Sequence, residues 1–300
     1  MILSCSLEIS HGTLKKNIMN KLLIIFVFIV AIGAFGVKIN AKSSPIEIKL
    51  DHEKLGKTPT VEVMVNGKQR SFYFDSGGGI SAISPALAKE IGCEPLGGMT
   101  AYNAGGVKFT VKRCEDVELN ISGFTVKRDV AVFDPMQFFP NAKGPVEGSI
   151  ALDAFDNQAL TMDLAGNRLI VETEKSFKNR IKTMNLLTAR TSREGGGATL
   201  DIFIAASTPN GKIWMLADTG NTNKMLFTPS AQKQLGINFD GENSEKIIKP
   251  VKINLISLGE IEMDSREREM IYDGMLNYDL LIKLTLTADF KTNRIWGKLL

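Results

Sequence analysis

Histidine is scarce in these 300 residues: there are two, His11 and His52. Cysteine is scarce too, with three. Zinc sites and Ser/His or Cys/His nucleophile pairs are therefore poorly supplied. No Gly-x-Ser-x-Gly segment occurs, which argues against a serine hydrolase built on a nucleophile elbow. The formal net charge is only +3, and no Lys/Arg block is interleaved with aromatics. Nucleic acid is not expected as a partner. Neither a metal nor a cofactor is expected. His52 sits among charged residues and reads as a solvated surface histidine.

Long apolar runs are also missing, with one exception. Residues 22–37 are uninterruptedly apolar and follow Lys15, Lys16 and Lys21. A basic stretch before an apolar core of this length is the pattern of an export signal. The run is slightly short for a membrane span of about 20 residues. Residues 1–42 are therefore expected to be a leader, either cleaved or kept as a membrane anchor. The protein is expected to be periplasmic, secreted or anchored facing outside the cytoplasm. Cys5 falls within that leader. Cys93 and Cys114 remain, as a disulfide in an oxidising compartment or as two separate buried thiols.

What the sequence has is a pair of matched stretches. Phe72-Tyr73-Phe74-Asp75-Ser76-Gly77 and Met215-Leu216-Ala217-Asp218-Thr219-Gly220 are each an apolar run ending in a carboxylate and a sharp corner. Ser or Thr can bond the local backbone there, and Gly turns without a Cβ clash. The likeness continues in order. Ser84-Pro85 and Gly92 recur as Thr228-Pro229 and Gly236, each reading as a short capped helix. Gly148-Ser149-Ile150-Ala151-Leu152-Asp153 recurs as Gly274-Met275-Leu276-Asn277-Tyr278-Asp279. Asp163 stands five residues before Arg168, and Asp289 five before Arg294. Landmarks kept in this order identify two copies of one unit.

Between the landmarks the pattern is that of short strands. Val61, Val63 and Val65 alternate with polar residues and run into the hairpin turn Asn66-Gly67. In the second copy the turn Ser207-Thr208-Pro209-Asn210-Gly211 reads as longer. Residues 97–111 are glycine-rich around Tyr102-Asn103-Ala104-Gly105-Gly106 and read as a projecting hairpin. Many strands and few helices make an all-β protein.

These features resemble the aspartic peptidases of the pepsin and retropepsin type, over most of the chain beyond about residue 46. The resemblance implies a two-lobed acid protease fold with pseudo-twofold symmetry and a few short helices. The lobes would be residues 43–176 and 177–300. It implies Asp75 and Asp218 as a catalytic pair in an endopeptidase, with Ser76, Gly77, Thr219 and Gly220 supporting it. Tyr102, Gly105 and Gly106 would sit on a flap over a peptide or protein substrate, and the enzyme would act as a monomer. Two facing carboxylates share one proton, so one ionises readily and the other resists. The sequence does not assign the proton.

Two departures bear on this. Gly78 and Asn221 follow the tripeptides where the family usually has Ala, Ser or Thr. Ala151 and Asn277 replace the usual glycine after the later apolar pair. Such changes are expected to loosen the catalytic corners. The alternative is a catalytically silent peptide-binding protein on the same fold; a structural β-protein with both aspartates in turns is a third reading.

Overall fold

The computed structural model describes residues 44–102, 107–208, 211–236, 246–253, 256–264 and 270–300, the backbone alone over most of 246–264. The expected leader, the flap residues Gly105 and Gly106, and the turn residues 209–210 lie outside them. Among the described residues no helix is long and apolar enough to cross a membrane.

The first hairpin forms where the alternating valines predict it. Strand Thr60–Val65 pairs with Lys68–Phe74, Val65 opposite Lys68. Asn66 and Gly67 have φ of 49° and 73°, the mirror-image turn that suits strand twist. The second hairpin, Asp201–Thr208 with Gly211–Ala217, has Thr208 opposite Gly211. Two residues again separate the strands, so the expected longer turn is not found. Tyr73 faces Thr60 in one hairpin, and Leu216 faces Phe203 in the other.

Each return strand is flanked in parallel by a three-residue strand. Gly148–Ile150 lies beside Phe72 to Phe74, and Gly274–Leu276 beside Met215 to Ala217. Glycine opens both strands because of crowding. A Cβ at Gly148 would lie 2.3 Å from the Phe72 ring and from the Ala82 carbonyl. At Gly274 it would lie 2.7 Å from the Phe227 ring. These strands hold the corners: the Asp75 amide donates to Ile150 O at 2.9 Å and the Asp218 amide to Leu276 O at 3.1 Å.

The capped helices also match. Ser84 Oγ accepts from the Leu87 amide ahead of Pro85–Glu90, and Thr228 Oγ1 accepts from the Ala231 amide ahead of Pro229–Gln234. Gly92 and Gly236 follow at φ of 74° and 69°. The Cys93–Cys114 disulfide is formed. It ties the end of the first helix to the long flap strand Lys108–Ile121.

A six-stranded sheet joins the copies, in the order Ile46–Lys49, Arg168–Val171, Ala159–Asp163, Leu284–Asp289, Arg294–Leu299, Asn185–Leu186. Its two middle strands come from opposite copies, antiparallel, with Thr161 opposite Thr287. One apolar cluster runs through both copies, with Phe72, Phe74, Phe155, Phe227 and Phe290 fully buried. Burying a side chain of this size contributes about 1.5–3 kcal/mol. Residues 44–300 form one compact unit. The helix Glu174–Arg180, capped by Thr173, spans the expected join between the lobes.

His52 is not a solvated histidine. Its ring packs edge-on against Tyr278 at 5.8 Å, with Nε2 3.3 Å from the tyrosine hydroxyl. It thus links the first copy to the second. Nothing about its charged sequence neighbours announces a partner 226 positions away.

Candidate active site

The two corners interlock through their hydroxyls. The Ser76 amide donates to Thr219 Oγ1 at 2.9 Å, and the Thr219 amide donates to Ser76 Oγ at 3.1 Å. Ser76 Oγ donates on to Ala217 O at 2.7 Å, and Thr219 Oγ1 to Phe74 O at 3.2 Å. All four bonds are buried and cross between the copies.

This grip sets each carboxylate over the other copy's glycine. A Cβ on Gly77 would fall 2.5 Å from Asp218 Cγ, and one on Gly220 would fall 2.8 Å from Asp75 Oδ1. No side chain fits at either place. Asp75 and Asp218 are left side by side, each acting on the other's carboxyl. The Gly77 amide donates to Asp75 Oδ1 at 3.0 Å. The Gly220 and Asn221 amides donate to Asp218 Oδ1 at 2.8 and 3.1 Å.

Burial raises both carboxyls above the ordinary range. They then part. Asp218 and the amides of Gly77, Gly220 and Gly78 pull Asp75 back. The negative charge of Asp75 pushes Asp218 up further, and it ends well above its usual value. The pair titrates as a unit, with the stronger upward push on Asp218.

The expected loosening of the corners is not seen. Asn221 accepts from the Asn223 amide through Oδ1 and donates its own amide to Asp218. Ala151 and Asn277 have φ of −105° and −83°, extended conformations that need no glycine. Asn277 Oδ1 also caps the next helix at the Leu280 amide. Gly78 is close to Asp75 as well: an added Cβ would stand 3.2 Å from its Cγ.

Tyr102, expected on a flap, ends the strand Leu96–Tyr102 and is 48% exposed. No hydrogen bond joins it to either aspartate. Gly105 and Gly106 lie outside the described residues. The second copy has an antiparallel strand pair, Lys246–Ile253 with Ile256–Asp264, as a separate two-stranded sheet. Among the described residues no cluster of His, Cys, Asp or Glu is arranged to hold a metal ion.

Tyr73, Tyr272 and Asp201 lie within electrostatic reach of the pair, and Asp153 within reach of Asp201. Tyr73 is buried, bonded to Ser149 and packed on Phe139 at 5.1 Å; burial first, then Asp75, drives its hydroxyl up. Tyr272 is raised by burial and then by Asp218. Asp153 accepts from the Ser81 amide and hydroxyl and pairs with Arg128 at 3.1 Å. Burial lifts it to about 6. Asp201 is lifted to about 8, by burial and then by Glu194. Tyr73 and Asp153 stand in the repeated segments themselves, a signal that was available.

Residues 61–153 match the family model for aspartyl proteases, a span that includes Asp75 but ends before Asp218. The chain is also similar to the crystal structure of basic 7S globulin from soybean. That comparison has a TM-score of 0.52 at 9% identity and covers 85% of this chain and 95% of the globulin. The chain carries the aspartic peptidase fold. At 9% identity the globulin speaks to the aspartic peptidase fold alone. No curated protein matches the chain. The segment match supports a protease function in its coarse form.

Proposed function

We propose that the chain is an aspartic endopeptidase in which Asp75 and Asp218 activate one water molecule against a peptide bond. The observation that carries this is the crossed seating of the carboxyls, each over the other copy's glycine. Ionised Asp75 removes a proton from the water while Asp218 donates its proton toward the peptide carbonyl oxygen. The water oxygen bonds to carbon, and a tetrahedral diol forms. A proton then passes to the amide nitrogen, the C–N bond breaks, and an acid and an amine leave. No covalent enzyme intermediate is involved.

Other parts of the reading follow from this one. Both aspartates lie on one chain, so a monomer suffices. The Cys93–Cys114 disulfide supports a place outside the cytoplasm, as does the apolar run at 22–37. The substrate is a peptide or protein, held under the hairpin that ends at Tyr102.

Cleavage of a degenerate peptide library in ¹⁸O-labelled water tests the proposal. One labelled oxygen in each new C-terminus, with no peptide trapped on the protein, is the expected result. A trapped acyl-protein, or no cleavage from acid to neutral pH, rejects it. A second reading, a silent peptide-binding protein, draws on the similar structure being titled a globulin. Binding of library peptides without cleavage would favour it.

A further inference from the structure

Asp201 opens the first strand of the second hairpin, Asp201–Thr208. Along Asp201–Thr208, Ile202, Ile204 and Ala206 point into the shared core, so Asp201 and Phe203 lie on the other face. Phe203 joins Leu216, Leu226 and Met275 there, with Tyr272 and Trp214 packed against them. The start of the strand is pinned to the first copy, since the Leu200 amide donates to Gly79 O at 2.8 Å. A Cβ at Gly79 would lie 3.3 Å from Asp201 Oδ2. The carboxylate therefore sits beside the loop that leaves Asp75, at the rim of an aromatic floor.

The Asp201 side chain is partly buried yet has no hydrogen bond or ion pair among the described residues. Nearby cations are engaged elsewhere: Arg128 with Asp153, Arg193 with Asp156, and Arg190 over the Phe203 and Trp214 rings. The charges acting on Asp201 are Glu194, Asp75 and Asp153, all acidic. A carboxyl so placed resists ionisation until a positive charge arrives. The matching position of the first copy, Thr58, is buried and neutral, so only the second copy has this character.

We propose that Asp201 selects a lysine or arginine side chain of the substrate, seated on the Asp75 side of the bond to be cut. This rests on the peptidase reading. The methylene stem would lie along Phe203 and Tyr272, and the charged head would meet Asp201.

The test is cleavage-site profiling followed by peptides that differ only at the selected position, with Lys, norleucine or Glu. Wild-type protein is expected to enrich Lys and Arg at one fixed position. Its kcat/KM should favour Lys over norleucine by about tenfold or more. In Asp201→Asn that ratio should collapse toward one, and in Asp201→Lys the preference should move to Glu. No fixed basic position, or a ratio unchanged in Asp201→Asn, overturns the proposal. If no peptide is cut, the peptidase reading fails first. Fluorescence anisotropy of the labelled Lys and norleucine peptides then decides Asp201 by itself, and equal affinities for wild-type protein overturn it.

Discussion

Thr161 lies opposite Thr287, its own counterpart 126 residues along, with their hydroxyl oxygens 2.8 Å apart. A residue can face its repeat mate only on a twofold axis. The axis of the duplication therefore runs through this pair at the centre of the joining sheet, and the two Asp-Ser/Thr-Gly corners repeat the relationship. The first copy supplies Ser76 where the second supplies Thr219, and each amide finds the other's hydroxyl.

That exchange can be broken from either side. Ser76→Ala takes the acceptor from the buried Thr219 amide and should cost about 1–3 kcal/mol in denaturant unfolding. Thr219→Ala should cost a similar amount. Each change removes a different bond of the exchange, so the double variant should cost more than either single change. No loss of stability in either single variant would mean that the corners do not interlock.

The glycines should differ in tolerance. Gly77→Ala drives a methyl group to 2.5 Å from Asp218 Cγ, whereas Gly78→Ala places one 3.2 Å from Asp75 Cγ. A displacement of about 1 Å in a catalytic group lowers rate by about a hundredfold. Gly77→Ala should reach that loss in kcat/KM, while Gly78→Ala should stay within about tenfold of wild type. Equal effects would contradict the crossed seating.

The matched Asp-Ser/Thr-Gly stretches, the two capped helices and the all-β character were legible because each is a local signal. At both helices a capping hydroxyl, a proline at the first helical position and a stop glycine lie close together along the chain. The parts that were misread depend on contacts between distant residues. Asp201 looks like an ordinary strand end until Leu200 bonds Gly79, and His52 looks solvated until Tyr278 is brought to it. Ala151 and Asn277 seemed to weaken the corners because φ cannot be read from residue type; both turn out extended.

The raised carboxyl of Asp218 makes stability depend on pH. Above the ordinary carboxylate value the unfolded chain releases this proton while the folded protein keeps it. The folded state then binds more protons, so this group's contribution to stability falls as pH rises through the window up to its raised value. Asp218→Asn removes that contribution. Its Tm should exceed the wild-type value by about 2–6 °C near pH 7.5, and the gap should narrow toward about pH 3.5. A gap that widens on acidification would reverse the sign argued here. Calorimetry across that range is the check.

The disulfide closes a loop with a sequence separation of 21. Loss of a bridge over such a loop costs about 3 kcal/mol. Reduction, or Cys93→Ser with Cys114→Ser, should lower the unfolding midpoint by a matching amount. No change in denaturant midpoint would mean that the bridge does not hold the base of the flap strand to the first helix.

The most direct measurement is kcat/KM for one cleaved peptide with wild-type protein, Asp75→Asn and Asp218→Asn, each first shown to be folded. If the two carboxyls share a proton and act as a unit, either change alone lowers kcat/KM by about a thousandfold or more. Activity that survives both substitutions would contradict the account.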